Sequence, residues 1–334
     1  QRTFDTSEAY GVGIDETKIF DVLDTQIDVR KGDIIYITGD SGSGKSTLVR
    51  EILEQTTTDL ATSIGGNEEP AYGVPLVETV GKTVEEAIEI LNFVGLGDAF
   101  LYLRKYEHLS DGQKYRYRLA LALDQGHDML VFDEFCSVLD RTTARVVAFL
   151  LQKVCRKRGI TLVVSTAHED LLEDLGPDMY VRKGFGSRIK VESRRGQVPR
   201  ECTVGKLAVI EPGTMDDYHE LSEFHYREGN PAFIRKIYKM RIGETVAGVV
   251  VYTVPPMNIA GRSIVFPELS EIRKRSPKEY LQGVNKDFSR ISRVGVHPTF
   301  RGVGLAARLL AETMPLTGYR YIEMLAAMGR FSKF

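Results

Sequence analysis

The chain has 334 residues, a formal net charge of −2, 43% hydrophobic and 27% charged residues. At about 100–200 residues per domain this leaves room for two domains, and the ordinary composition excludes a disordered, collagenous or coiled-coil chain. No stretch approaches the roughly 18–20 uninterrupted apolar residues of a membrane helix, and no charged-then-apolar leader follows Gln1, so neither a membrane segment nor a signal peptide is expected.

In chain order, the Lys31-Gly32-Asp33 turn leads into Ile34 to Thr38, a short β-rich run expected to be a buried strand. Residues 44–55 have helical spacing, with Leu48, Ile52 and Leu53 on one side. Residues 84–94 form an amphipathic helix with an acidic outer face, and residues 110–124 a further helix. MLVFDEF (129–135) reads as an apolar strand ending in carboxylates. Residues 144–158 read as a helix with a basic last turn, stopped by Gly159, and 160–166 as a second buried strand. Strands alternating with helices make this half α/β with a largely parallel sheet. Periodicity fades over 184–202, and the boundary is placed near 196–203. Beyond it, 234–241 and 245–254 form an expected antiparallel hairpin, 291–296 a strand, 303–314 a helix and 319–328 a further strand.

Between the first strand and helix lies Gly39-Asp40-Ser41-Gly42-Ser43-Gly44-Lys45-Ser46, which fits G-x-x-x-x-G-K-[ST]. Its glycines let backbone N–H groups turn toward phosphate, and the helix N-terminus at Lys45, Ser46 and Thr47 adds positive potential. Lys45 is placed to reach the β and γ phosphates of ATP, and Ser46 to ligate Mg²⁺. Downstream come Leu109-Ser110-Asp111-Gly112-Gln113 before a helix, then Asp133-Glu134 at a strand end. Ser137-Val138-Leu139-Asp140 follows directly, and His168 ends the next strand.

In this order the set resembles the ABC ATPase family over roughly residues 1–183. The resemblance implies that Asp133 holds Mg²⁺, Glu134 polarises the attacking water and His168 touches the γ-phosphate. It implies that Leu139 and Asp140 form the D-loop, and that Ser110, Gly112 and Gln113 close over the nucleotide of a second copy. The implied assembly is a head-to-tail homodimer sandwiching two ATP. Tyr10 is a candidate for stacking on adenine, with Phe4 and Phe20 as rivals. The sequence departs from the family at Asp111, commonly Gly, and has no clear Q-loop glutamine near Pro75 to Thr79. The span from Lys45 to Ser110 is also short.

The second half differs in charge. Residues 1–202 carry 25 Lys+Arg against 33 Asp+Glu, whereas 203–334 carry 19 against 13. Arg235, Lys236, Lys239 and Arg241 crowd one hairpin strand, and Arg273-Lys274-Arg275 form a second basic cluster. Such clusters are the expected footprint of a polyanion, and Phe233, Tyr238, Tyr252 and Phe266 are candidates for base stacking. Cys136, Cys155 and Cys202 are few and unpaired in spacing, which fits a reducing cytoplasm.

Arg301-Gly302-Val303-Gly304-Leu305-Ala306 after a strand resembles motif A of the GNAT acyltransferases. That implies the pyrophosphate of acetyl-CoA or a related acyl-CoA at the start of the following helix. Leu221 to Tyr226 resembles the Mom branch of that fold, which modifies adenine in DNA, with His225 and Tyr226 as implied active-site residues; otherwise the two pack at the surface. The whole arrangement resembles a family of prokaryotic ABC–GNAT fusion proteins. The expectation is a P-loop ABC-type ATPase domain over 1–200 followed by a mixed α/β GNAT-like domain over 203–334. The implied activity is ATP-coupled acyl transfer, onto DNA or RNA as acceptor. The alternatives are a non-catalytic ATP-gated clamp on nucleic acid or protein, and an ATPase subunit of a transporter.

Overall fold

The computed structural model describes residues 2–14, 27–55, 61–64, 70–224 and 229–325. Two sheets organise the chain. The first half runs α1 (Arg2–Tyr10), β1 (Ile34–Thr38), α2 (Lys45–Gln55), β2 (Ala61–Ile64), α3 (Val84–Phe93), α4 (Ala99–Tyr102), α5 (Asp111–Asp124), β3 (Met129–Phe132), α6 (Arg141–Arg158), β4 (Thr161–Thr166), α7 (Leu172–Leu175), β5 (Met179–Lys183) and β6 (Ile189–Ser193). Its sheet has the order β2-β3-β4-β1-β5-β6, parallel throughout except for β6, which runs antiparallel to β5. Every residue of β1, β3 and β4 is buried, as in a sheet covered on both faces. Leu48, Val49 and Ile52 of α2 cover one face, and α3, α5 and α6 cover the other.

The second half runs α8 (Thr203–Lys206), β7 (Val209–Pro212), α9 (Met215–Ser222), β8 (Ile234–Ile242), β9 (Thr245–Thr253), α10 (Ala260–Val265), α11 (Pro267–Arg275), α12 (Pro277–Asp287), β10 (Phe288–Val296), α13 (Leu305–Thr313) and β11 (Tyr321–Met324). The sheet order is β11-β10-β9-β8-β7, antiparallel except for the β10–β11 pair. One face, with Tyr238, Met240, Val250, Tyr252 and Ile291, packs on α13. The other packs Val249 and Val251 on α9, and Phe288 on α11 and α12.

Several boundaries differ from the sequence reading. The strand at 129–135 stops at Phe132, because Glu134 and Cys136 take positive φ values of 52° and 59°. The helix at 144–158 begins three residues earlier, at Arg141, where Asp140 caps it by accepting from Thr143 N. Residues 189–193, inside the stretch read as aperiodic, form edge strand β6, and α10, α11 and α12 between β9 and β10 were not anticipated. Among the described residues no helix is long and apolar enough to cross a membrane.

The halves share a core. Val146, Phe149 and Leu150 of α6 are buried with Phe300, Val303, Leu305 and Leu309 of the second half. Buried Asp174 accepts from the Thr203 backbone N–H and hydroxyl.

Candidate functional site

The first site lies where β1, β3 and β4 end side by side, the crevice at the carboxyl ends of a parallel sheet. The loop from β1 to α2 is shaped by its glycines. A Cβ on Gly39 would sit 2.0 Å from the Lys183 carbonyl oxygen, so only glycine fits between β1 and β5 there. Gly42 has a φ of 76° and nothing within 4 Å of its Cβ position, which leaves the loop's outer side open. Ser43 Oγ is buried with no hydrogen-bond partner among the described residues. Lys45 Nζ donates to the Gly39 and Asp40 carbonyls, 2.7 Å each. Ser46 and Thr47 are exposed in the first helical turn, whose backbone N–H groups have no intrahelical acceptors. Open space, a hydroxyl without a partner among the described residues and a cation held by loop carbonyls all fit a bound triphosphate.

Asp133 is held by two donors: its Oδ1 accepts from the Ser165 hydroxyl and from Glu134 N. Exposed Glu134 is kept in its left-handed conformation by a turn in which Ser137 N donates to its carbonyl. Phe135 N donates to Ser165 O, 2.7 Å, and Cys136 N to the Tyr115 hydroxyl, 2.8 Å. A non-glycine residue at positive φ is strained, and such strain concentrates at functional positions. His168 is exposed just past β4, with its carbonyl accepting from the Tyr36 hydroxyl. The structure therefore brings Lys45, Ser46, Asp133, Glu134 and His168 to one sheet edge. Among the described residues no cluster of three or more His, Cys, Asp or Glu is placed to hold a metal, so Mg²⁺ at Ser46 and Asp133 needs phosphate oxygens to complete its shell.

Ser110 and Gln113 form a capping box at the start of α5: Ser110 Oγ accepts from Gln113 N and Gln113 Oε1 from Ser110 N. A Cβ on Gly112 would lie 3.1 Å from Leu139 Cδ2, so this glycine lets α5 approach the segment after β3. Burial opposes ionisation of Asp140, but hydrogen bonds from Thr143 and the Thr142 N–H, with the Arg116 charge, hold its carboxyl below the usual range. Tyr10 ends an exposed helix with its side chain 80% exposed, and Phe4 is similarly exposed. Phe20, His225 and Tyr226 lie outside the described residues.

Around the loop that follows β10, the roles divide. Gly304, with a φ of 88° and open space at its Cβ position, begins α13. Val303 and Leu305 turn their side chains into the shared core, which leaves only their backbone to a ligand, and Ala306 is half-buried. Gly302 faces Leu150 of α6, 3.1 Å from its Cβ position.

Arg301 corrects the expectation. Its guanidinium donates to the Val296, Gly97 and Phe224 carbonyls and to the Asp98 carboxylate, so it fastens the loop to the first half rather than reaching for pyrophosphate. Arg116 of α5 donates to Gly112 O and Gly95 O, so the helix after Ser110 touches the same 95–98 segment.

The basic hairpin is a second correction. Arg235 donates to the Phe288 and Asn285 carbonyls and Lys236 to Leu316 O. Lys239 pairs with Asp217, and Arg241 with Glu211. Lys274 and Arg275 pair with Glu271 and Glu279, and Arg273 lies over the Tyr280 ring. Tyr238 and Tyr252 are core residues and Phe266 packs on Phe288; Phe233 alone of the four aromatics is well exposed. Lys239 and Arg241 are thus neutralised within the fold and Arg235 and Lys236 are engaged by carbonyls, which weakens the footprint expected for a polyanion.

Sequence reasoning missed Ser165, Tyr115, Arg116 and Asp98. Only Asp98 carried a local signal, as an N-cap before Ala99-Phe100-Leu101.

No family model matches the chain. Among curated proteins it is similar to methionine import ATP-binding proteins. It is 33% identical over 223 residues to MetN 2 of Bacillus cereus, across 56% of this chain and 60% of that protein. It is 33% identical over 215 residues to MetN of Corynebacterium jeikeium, across 53% of this chain and 56% of that protein. The chain thus spans 60% or less of the length of these relatives. Among solved structures it is similar to a dimeric ATP-binding cassette with ADP and phosphate, at 21% identity and a TM-score of 0.42, covering 52% of this chain and 91% of that one.

Proposed function

We propose, from a first half that is an ABC-type ATPase domain, that this chain binds MgATP on residues 39–47 and hydrolyses it as one member of a head-to-tail pair. The observation that carries the reading is the convergence of Lys45, Ser46, Asp133, Glu134 and His168 at the ends of three adjacent strands. Backbone N–H groups at the start of α2 and the Lys45 ammonium bind the phosphates. Ser46 and Asp133 hold Mg²⁺, which when bound offsets phosphate charge. Glu134 orients water for attack on the γ-phosphorus, and His168 steadies the γ-phosphate oxygens. Each chain carries one phosphate loop and one Ser110–Gln113 cap, so two copies make two complete sites.

The matched relatives are import ATP-binding proteins, which supports an engine that drives a partner chain, as a transporter ATPase subunit does, over a self-contained transferase. The test of assembly is sizing of Glu134→Gln. With ATP and Mg²⁺ it should elute as a dimer and without nucleotide as a smaller species; a monomer at all micromolar concentrations would sink the pairing.

A second reading, acyl-CoA-dependent transfer of GNAT type by the second half, is supported by one feature. Among the described residues β10 and β11 pair in parallel over 288–291 and 321–324, and β10 then leads to open Gly304 at the start of α13, where backbone N–H groups suit a pyrophosphate. Gly304→Glu should abolish acetyl-CoA binding in calorimetry by adding charge and bulk at a positive-φ position. No binding by the wild type would leave the second half as a docking module for the partner chain.

A further inference from the structure

Several arginines of the described residues bury a guanidinium nitrogen that has no hydrogen-bond partner. Most still have a carboxylate: Arg141 and Arg145 share Asp170, Arg156 has Asp178, Arg194 has Glu192 and Arg195 has Asp33. Arg290 and Arg293 are the two without an ion pair among the described residues, and both lie on β10.

Arg293 is 8% exposed. Its Nη1 donates to the carbonyl and hydroxyl of Ser292, 2.9 and 3.3 Å, and its Nη2 to Gly229 O at 3.5 Å. All three acceptors are neutral, and among the described residues Nε has none. A guanidinium has five N–H donors and cannot shed its proton, so the charge stays buried with no countercharge among the described residues, a costly state.

Arg290 shares its face. It stands in register with Thr253 and Arg293 with Val251, two positions on one side of β9, because a bulge after Ile291 takes up the odd residue. The neighbouring carboxylate on β11, Glu323, is in register with Arg290 but is held in two hydrogen bonds by Arg262. Lys239 and Asp217, also on this side, satisfy each other. The face is flanked by α9 toward β9 and by α12 toward the start of β10, and it is opposite the one that packs on α13.

We propose that Arg290 and Arg293 form an anion-binding site on the α9 face of the second sheet, taking the compact carboxylate or phosphate group of a ligand. Two arginines on one face of the sheet, each with a buried Nε left unpaired among the described residues, match the paired oxygens of either group, and a bound anion supplies a countercharge that no described residue gives them. The site is separate from residues 39–47 and from Gly304, and stands whether or not the second half binds acyl-CoA.

The test uses the full chain saturated with ADP and Mg²⁺, so that the loop at 39–47 is filled, titrated with inorganic phosphate or with acetate while thermal unfolding is followed. The wild type should gain several degrees saturably with one of the two anions, phosphate marking a phosphorylated ligand and acetate a carboxylate. Arg293→Met should lose that gain and, in anion-free buffer, unfold above the wild type, because an unpaired buried charge has been replaced by an apolar chain of similar length. Arg290→Gln should keep the fold and weaken the affinity roughly tenfold, and it decides the question if Arg293→Met does not fold. No saturable shift in the wild type, or an equal shift in the wild type and the variant used, would overturn the site.

Discussion

Glu134→Gln is expected to slow ATP turnover by about 10²–10⁴-fold while leaving ATP binding intact. The exposed carboxylate touches neither the Lys45 loop nor the Ser46 hydroxyl in the contacts of the fold, so neutralising it removes orientation of water and little else. Lys45→Ala should behave differently. Its ammonium is the cation held at the loop, tethered by two carbonyls 2.7 Å away that a phosphate would replace, and its loss should abolish nucleotide binding and turnover together. Steady-state phosphate release and binding of a fluorescent ATP analogue, measured on both variants, separate the two effects. Wild-type turnover in Glu134→Gln would remove that carboxylate from the reaction. Gln is the right replacement because Glu134 already sits at a strained φ of 52°, and a same-shaped side chain leaves the turn unaltered.

The second large effect is on stability. Asp98→Ala should cost about 2–4 kcal/mol in urea unfolding. Asp98 is 7% exposed and does two jobs: it caps α4 by accepting from Phe100 N and Leu101 N, and it receives the Arg301 guanidinium. Losing a cap costs about 1 kcal/mol. Stranding the partner of a buried pair costs about 3–5 kcal/mol, less here because Arg301 retains three carbonyl acceptors and is partly exposed. A double-mutant cycle with Arg301→Met isolates the pair, and a loss under about 1 kcal/mol would mean that the junction does not depend on it.

How much of this was readable depends on the range of the determinants. The loop at 39–46, the carboxylates after β3 and His168 after β4 are fixed by residues within one strand–turn–helix unit, so their spacing in sequence placed them. The break after Phe132 was not legible, since the run into Phe135 is apolar and the turn that holds Glu134 at positive φ is flanked by contacts to Ser165, on another strand, which donates to Asp133 and accepts from Phe135 N. Arg301 was read from its own short motif, whereas the group that claims it, Asp98, is 203 positions away. The hairpin cations were counted without Glu211 and Asp217, which arrive from β7 and α9 and neutralise two of them. Edge strand β6 was hidden by the Gly and Arg residues around it.

The face that α6 contributes to the shared core has a consequence for biosynthesis. Val146, Phe149 and Leu150 are at most 5% exposed in the finished protein, yet Phe300, Val303 and Leu305, which are buried with them, are translated about 150 residues later, well after Cys202, Val204 and Ala208 of the same core. A first half that folds as it leaves the ribosome therefore presents an apolar stripe on an already formed helix until Phe300, Val303 and Leu305 arrive. The seam between the halves is accordingly a poor place to cut or graft. Any chimera joined near residue 200 has to carry a replacement cover for that stripe, because the same helix also holds the core of the first half through Val147, Ala148 and Leu151.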